Sequence, residues 1–213
     1  MTTEQLIKLL VADLEPVDRG RISRALVMAM VAGAAVTFGL MFLLVGPHPK
    51  TFDGANSSFL VTKLMFTSGV VAMAAVFLPQ IARPGAEGRN FLAFVSLPFL
   101  AIAALASEAL GSAHWSTWGN MIVGSTWLAC LFTIPLLAIV PFLALVWALR
   151  VGAPTALIRA GAAAGLVAGG LSAMACSLPC LDHSFPSIAV WYGLPIGTCA
   201  IVGAKLGPRL LRW

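Results

Sequence analysis

Apolar residues along this chain run together instead of alternating with polar ones. Stretches of about 20 predominantly apolar residues, each long enough to cross a hydrocarbon layer roughly 30 Å thick, recur at approximately 25–45, 59–82, 91–110, 127–149, 155–178 and 188–206. Barrel strands would show a two-residue alternation, and backbone groups inside lipid must be paired within their own segment, so these Ala- and Leu-rich runs predict helices. The expected fold is all-α, a polytopic membrane protein with a six-helix transmembrane domain over residues 25–213 and a polar segment over residues 1–24. Pro98, Pro135, Pro141 and Pro195 fall within the spans, where proline kinks or locally opens a helix. Gly161, Gly165 and Gly169 recur at four-residue spacing in the fifth span, a flat strip that lets another helix approach closely; an internal neighbour is favoured over a second copy of the chain.

The leading segment has a different pattern. Leu6, Ile7, Leu10, Val11 and Leu14 repeat at three- and four-residue intervals, which places them on one face of a short amphipathic helix. Thr2 with Gln5 fits a capping box, and Pro16 discourages continuation past Glu15. A helix lying on lipid is usually rich in Lys and Arg on its polar face, whereas this one carries Glu4, Asp13 and Glu15 against Lys8. Docking to another protein is therefore the favoured use of its apolar face, with ordering on contact because an isolated helix this short is marginal in water. The acidic residues and the length of the following apolar run also distinguish the segment from a cleaved targeting signal, so the first span is expected to be an anchor.

Composition strengthens the membrane reading. The 213 residues are 60% hydrophobic and only 10% charged, with a mean hydropathy of +0.96, against roughly 25% charged residues in soluble domains. The net charge of +5 is scattered singly at helix ends, with no basic patch interleaved with aromatics, so direct nucleic-acid binding is not expected. Retention of Lys and Arg on the cytoplasmic side instead sets orientation. With the N-terminus inside, Lys8, Arg19, Arg21, Arg24, Arg83, Arg89, Arg150, Arg159, Lys205, Arg209 and Arg212 all fall on the inner side, eleven of thirteen. Both termini are thus expected in the cytoplasm, and only Lys50 and Lys63 lie towards the outside.

Candidate chemistry gathers on that outer side. Cys130 begins the fourth span, and Cys176 and Cys180 flank the end of the fifth, while Cys199 sits midway along the sixth and reads as a buried small hydrophobe. In a bacterium the outer face meets a compartment that favours disulfides; Cys130 with Cys180 is the preferred pair, since an i,i+4 pair such as Cys176 and Cys180 on a regular helix rarely meets bridge geometry, an objection that weakens if Pro179 breaks the helix. His48, His114 and His183, with Asp182, also fall on outer loops. Thiolate and imidazole suit zinc, cadmium or copper, but no paired C-x-x-C spacing occurs, the identity of any metal is open, and no cofactor is implied. Lys63 and Glu108 are the charges well inside the spans; snorkelling to the interface accounts for them more simply than an ion pathway does. No Ser-His-Asp signature, phosphate loop or H-E-x-x-H is present, so an enzyme is not expected.

These pieces resemble one family. A short acidic amphipathic opening, Gln5-Leu6-Ile7 through Ala12-Asp13-Leu14-Glu15-Pro16-Val17, precedes six spans; a Cys begins the fourth, in Trp127-Leu128-Ala129-Cys130-Leu131; Cys180-Leu181-Asp182-His183 leads to Val190-Trp191-Tyr192; and Arg209-Leu210-Leu211-Arg212-Trp213 closes the chain. The pattern is similar to that of the negative regulators of sigma F, membrane-integral anti-sigma factors formerly grouped as a domain of unknown function. The resemblance implies a bacterial inner-membrane protein whose N-terminal segment holds an extracytoplasmic-function sigma factor until an external signal releases it; the expected docking residues are then Leu6, Ile7, Leu10, Val11 and Leu14, and oxidation or metal capture by thiols is the expected signal. It matches the family cysteines to Cys130 and Cys180, which are the expected sensing pair; Cys176, Asp182 and His183 are secondary candidates, and oligomeric state is left open. A small transporter or channel is the first rival, though no internal repeat is visible. A membrane thiol oxidoreductase is the second, though Cys176 and Cys180 stand one residue further apart than the usual C-x-x-C.

Overall fold

A computed structural model of the chain describes residues 19–46, 54–82, 91–124, 127–152, 154–180 and 184–212. Among these residues the secondary structure is helical: α1 (Arg19–Leu44), α2 (Gly54–Ile81), α3 (Phe91–Ser112), a 3-10 turn (Trp115–Thr117), the short α4 (Trp118–Val123), α5 (Trp127–Arg150), α6 (Leu157–Cys176) and α7 (Phe185–Leu210). Six of these helices, all but α4, are long and apolar enough to cross a membrane. Their outward faces are apolar too, with Leu43, Leu92, Leu136 and Trp147 all well exposed, which suits lipid as the surrounding solvent. The chain is a multi-pass membrane protein.

The spans follow the six apolar runs closely. Pro98, Pro135, Pro141 and Pro195 lie inside helices that continue through them, and two of them serve packing: Pro141 is seated against Gly33 of α1 and Pro98 against Gly69 of α2. The central rod is α6, in which fifteen of twenty residues are buried. It packs against α1, α2, α5 and α7, while α3 closes the bundle against α2 and α7.

The Gly161, Gly165 and Gly169 strip faces α7, so its neighbour is internal. Gly161 meets Gly203 and Gly207, and Gly165 and Gly169 meet Cys199. Lipid tails supply no hydrophobic drive for helix association, and close backbone contact between small residues provides the dispersion energy instead.

The alternating helices give the bundle two distinct ends. One end carries Arg21, Arg24, Arg150, Arg159, Lys205 and Arg209, and there the Arg150 Nε donates to the Leu210 carbonyl at 2.8 Å, tying α5 to α7. At the opposite end, the 3-10 turn and α4 form a small cap where an open connection is expected from the sequence. Trp115 stacks on Trp118 with ring centroids 4.6 Å apart. The Trp191 Nε1 donates to the Ile122 carbonyl at 2.7 Å and the Ser184 hydroxyl to the Met121 carbonyl at 2.6 Å, so the cap is bound to the start of α7.

Candidate functional site: a buried thiol cluster

Beneath this cap three cysteines from separate parts of the chain converge. Cys130 is in the first turn of α5, and Cys176 is the last residue of α6. Cys180 lies just beyond, because the helix ends at Cys176 and the Pro179 region returns the chain towards the bundle; the fifth span is therefore two residues shorter than its expected end at 178. Breaking the helix between Cys176 and Cys180 removes the regular i,i+4 geometry that would hold their sulfurs apart. The Sγ atoms stand 3.2 Å apart for Cys130 and Cys180, 3.6 Å for Cys176 and Cys180, and 3.9 Å for Cys176 and Cys130. All three residues are buried, and none is in a disulfide. A disulfide needs an S–S distance of about 2.05 Å, so the preferred pair is in contact but not bridged.

Lys63 corrects an expectation. Instead of snorkelling to the interface it is 2% exposed, and its Nζ donates to the Cys180 carbonyl at 2.7 Å. The connection after α6 has turned out of helix, so that carbonyl has no place in a helical ladder and accepts from the ammonium instead; a satisfied internal partner replaces the route to water. The same Nζ lies 5.6 Å from the centroid of the fully buried Tyr192 ring on α7, a cation–π arrangement. The Cys180 thiol is held well below the ordinary thiol range, first by hydrogen bonds from Cys130 and Cys176, with the Lys63 charge and the Tyr192 hydroxyl adding to them and burial opposing.

The other candidates fall elsewhere. Cys199 is half-buried against Gly165 and Gly169, apart from the three sulfurs. His114 is exposed in the cap, its Nδ1 3.1 Å from the Ser116 hydroxyl, and Glu108 is exposed on α3. Leu6, Ile7, Leu10, Val11 and Leu14, together with His48, Asp182 and His183, lie outside the described residues. Lys63 and Tyr192 are the site residues that sequence reasoning missed. An intramembrane lysine was the available signal for the first; the second was visible only as part of an aromatic pair.

Comparison with known proteins adds the family. The model for negative regulator of sigma F matches residues 10–213. The chain belongs to that family. At full length on both sides, it is 32% identical over 214 residues to a probable anti-sigma-F factor from Azospira oryzae and 31% identical over 222 residues to an anti-sigma-F factor from Caulobacter vibrioides. No solved structure matches. As a negative regulator of sigma F, the chain keeps Leu10, Val11 and Leu14 inside the region matched by the family, with Leu6 and Ile7 just before it.

If Lys63 stabilises a thiolate at Cys180, Lys63→Met and Cys130→Ala each slow alkylation of Cys180 by iodoacetamide at neutral pH. Quenched-flow labelling with mass-spectrometric site assignment measures both rates. Equal rates in wild type and Lys63→Met would remove the lysine from the chemistry of the sulfur.

Proposed function

We propose that this protein is a membrane-held anti-sigma factor that keeps an extracytoplasmic-function sigma factor at the bacterial inner membrane through its N-terminal segment. The sigma factor is released when Cys130 and Cys180 react at the outer face. The observation that carries the reading is full-length membership of a family whose relatives are named anti-sigma-F factors. The gathering of basic residues at the bundle end opposite the thiols supports cytoplasmic termini and an outward-facing cluster.

In this scheme Leu6, Ile7, Leu10, Val11 and Leu14 form the apolar face that the sigma factor covers. At the far end, Cys130 and Cys180 each lose a proton and an electron as an S–S bond forms, the two electrons passing to an external disulfide or peroxide. Closing the gap between the sulfurs pulls the start of α5 towards the end of α6. A displacement there reaches the opposite end along the closely packed α6–α7 pair, and α1, which leads back to the docking segment, packs on both α5 and α6. Two packings with different affinity for the sigma factor are what coupling requires, and a difference of about 1–3 kcal/mol gives a 5- to 150-fold change in binding.

The experiment is retention of the cognate sigma factor on membranes, with and without diamide as thiol oxidant. Wild-type membranes are expected to retain the sigma factor when reduced and release it when oxidised. The Cys130→Ser/Cys180→Ser protein is expected to retain it under both conditions. Release from the double variant at the wild-type oxidant dose would exclude the pair as the sensor, and membranes that never retain a sigma factor would exclude the function.

A further inference from the structure

We propose that the open groove between α5 and α7 holds one acyl chain of an anionic glycerophospholipid from the leaflet at the basic end of the bundle, with its phosphate on Arg150 and Arg209. The proposal stands apart from the sensor reading, since neither the three clustered thiols nor the docking segment takes part in it.

The groove runs along the face of the bundle where α5 and α7 flank α6. Ile139 and Leu143 of α5 line one side, Val202 and Leu206 of α7 the other, and Gly165 and Ala168 of α6 lie between them. The α6 positions carry nothing larger than a methyl group, which leaves the space open, and Ile139, Leu143 and Val202 are exposed along it. The Thr198 hydroxyl at its inner end donates to the Pro195 carbonyl at 2.8 Å, so it makes no demand on an occupant. From Thr198 to Leu210 the α7 side of the groove covers about 18 Å at 1.5 Å per residue, slightly more than one leaflet's share of a hydrocarbon layer roughly 30 Å thick. Its volume is about 370 Å³. A helix 10 Å across occupies roughly 1,400 Å³ over that length, so the groove is too small to seat a helix of a second copy, whereas a single hydrocarbon chain is thin enough to lie in it.

Charge at the mouth of the groove then selects the headgroup. Leu210, the last lining residue, accepts the hydrogen bond from the Arg150 Nε, which holds that guanidinium at the mouth. Arg150 also follows Leu143 by two helical turns, on the same face of α5. Arg209 adjoins Leu210, Lys205 stands one turn before it, and all three cations are exposed. A guanidinium offers five N–H donors in a planar fork that matches phosphate oxygens, and the bond to Leu210 uses one of those on Arg150. Among the described residues the only carboxylate is Glu108, at the opposite end of the bundle, so no described acid competes for the arginines. A zwitterionic headgroup such as phosphoethanolamine brings its own ammonium towards these cations, whereas a phosphoglycerol headgroup presents its negative charge uncancelled. Basic pockets between membrane helices bind anionic headgroups for this reason. The bound lipid spans α5 and α7 at the end where Arg150 already joins them.

The test uses the full chain in detergent micelles, titrated with phosphatidylglycerol or phosphatidylethanolamine of the same acyl chains and followed by native mass spectrometry. The expected result is one phosphatidylglycerol retained per chain, with a preference over phosphatidylethanolamine of about 10-fold or more, the weight of one charge-assisted hydrogen bond. Arg209→Gln should lower the affinity for phosphatidylglycerol by about 10-fold and leave that for phosphatidylethanolamine unmoved. Val202→Trp, which fills the groove from an exposed position, should abolish retention of the lipid, and Ile201→Trp, exposed but outside the groove, should preserve it. Should Val202→Trp not fold, Leu143→Trp on the other side makes the same test, and the lipid preference of the wild type needs no variant. Equal affinity for the two lipids, or an Arg209→Gln protein that binds like wild type, overturns the headgroup site. Full retention in Val202→Trp overturns the groove, as does a two-chain mass that this substitution splits, which would assign the groove to a second copy.

Discussion

Leu6→Asp combined with Leu10→Asp is expected to abolish retention of the sigma factor on membranes while leaving the six-helix domain inserted and intact. The amphipathic pattern gives the segment one apolar face, and covering two leucines on it is worth about 3–6 kcal/mol in total. That corresponds to a hundred- to ten-thousand-fold in affinity, before the further cost of placing two carboxylates against an apolar partner surface. Lys8→Ala, on the polar face, removes no apolar contact and is expected to change retention little. The comparison is made by sedimenting membranes that carry equal amounts of each variant and measuring the sigma factor in pellet and supernatant. Leu10 lies within the family match and Leu6 before it, so the single variants divide the effect between them. Undiminished retention in the double variant would place the docking surface elsewhere on the chain.

The spans were legible because lipid imposes one rule, internal pairing of every backbone group, and long apolar runs satisfy it in one way. The glycine strip of α6 was legible for a related reason: small residues at four-residue spacing have little use except close approach. The fate of Lys63 was not. Whether an intramembrane lysine snorkels or turns inward depends on an acceptor supplied by a residue 117 positions later in the chain, the Cys180 carbonyl, and that acceptor exists only because the helix stops at Cys176. Proximity of Cys130 to Cys180 could be anticipated from their common end of the bundle, but the inclusion of Cys176 hung on the same helix stop. The cap helix Trp118–Val123 is too short to register as a hydrophobic period and is held by tertiary hydrogen bonds from Ser184 and Trp191, which no local pattern encodes.

One helix links these features. The α6 rod brings Cys176 to the thiol cluster at one end and Arg159 to the basic end at the other, and it packs against α1, which follows the proposed docking segment in the chain. A rod that is to carry a sub-ångström displacement cannot be surrounded by compliant side chains. Its alanine and glycine surface meets this need, since backbone against backbone leaves few rotamers to absorb the motion.

That reasoning makes the α6–α7 seam the place where one added methyl group should cost most. A Cβ built on Gly161 collides with the Gly203 carbonyl and comes within 2.9 Å of the Gly207 Cα; one built on Gly165 collides with the Cys199 carbonyl. These obstacles are backbone atoms that cannot rotate aside, so the helices must separate along the seam and lose dispersion contacts over several turns. Gly161→Ala is therefore expected to destabilise the protein by about 1–3 kcal/mol or more, the usual cost of overpacking, and Gly161→Leu to prevent accumulation of monodisperse protein. Gly39 and Gly197 provide the control, because a Cβ at either meets nothing within 4 Å; alanine there should be neutral or stabilising by up to about 1 kcal/mol through helix propensity. Thermal unfolding in one detergent, followed by size-exclusion chromatography, ranks the four variants. A Gly161→Ala protein as stable as Gly39→Ala would mean that the seam opens at little cost. In that event α6 and α7 do not move as a unit, and the path from the sulfurs to the docking segment must run through α5 and α1 instead.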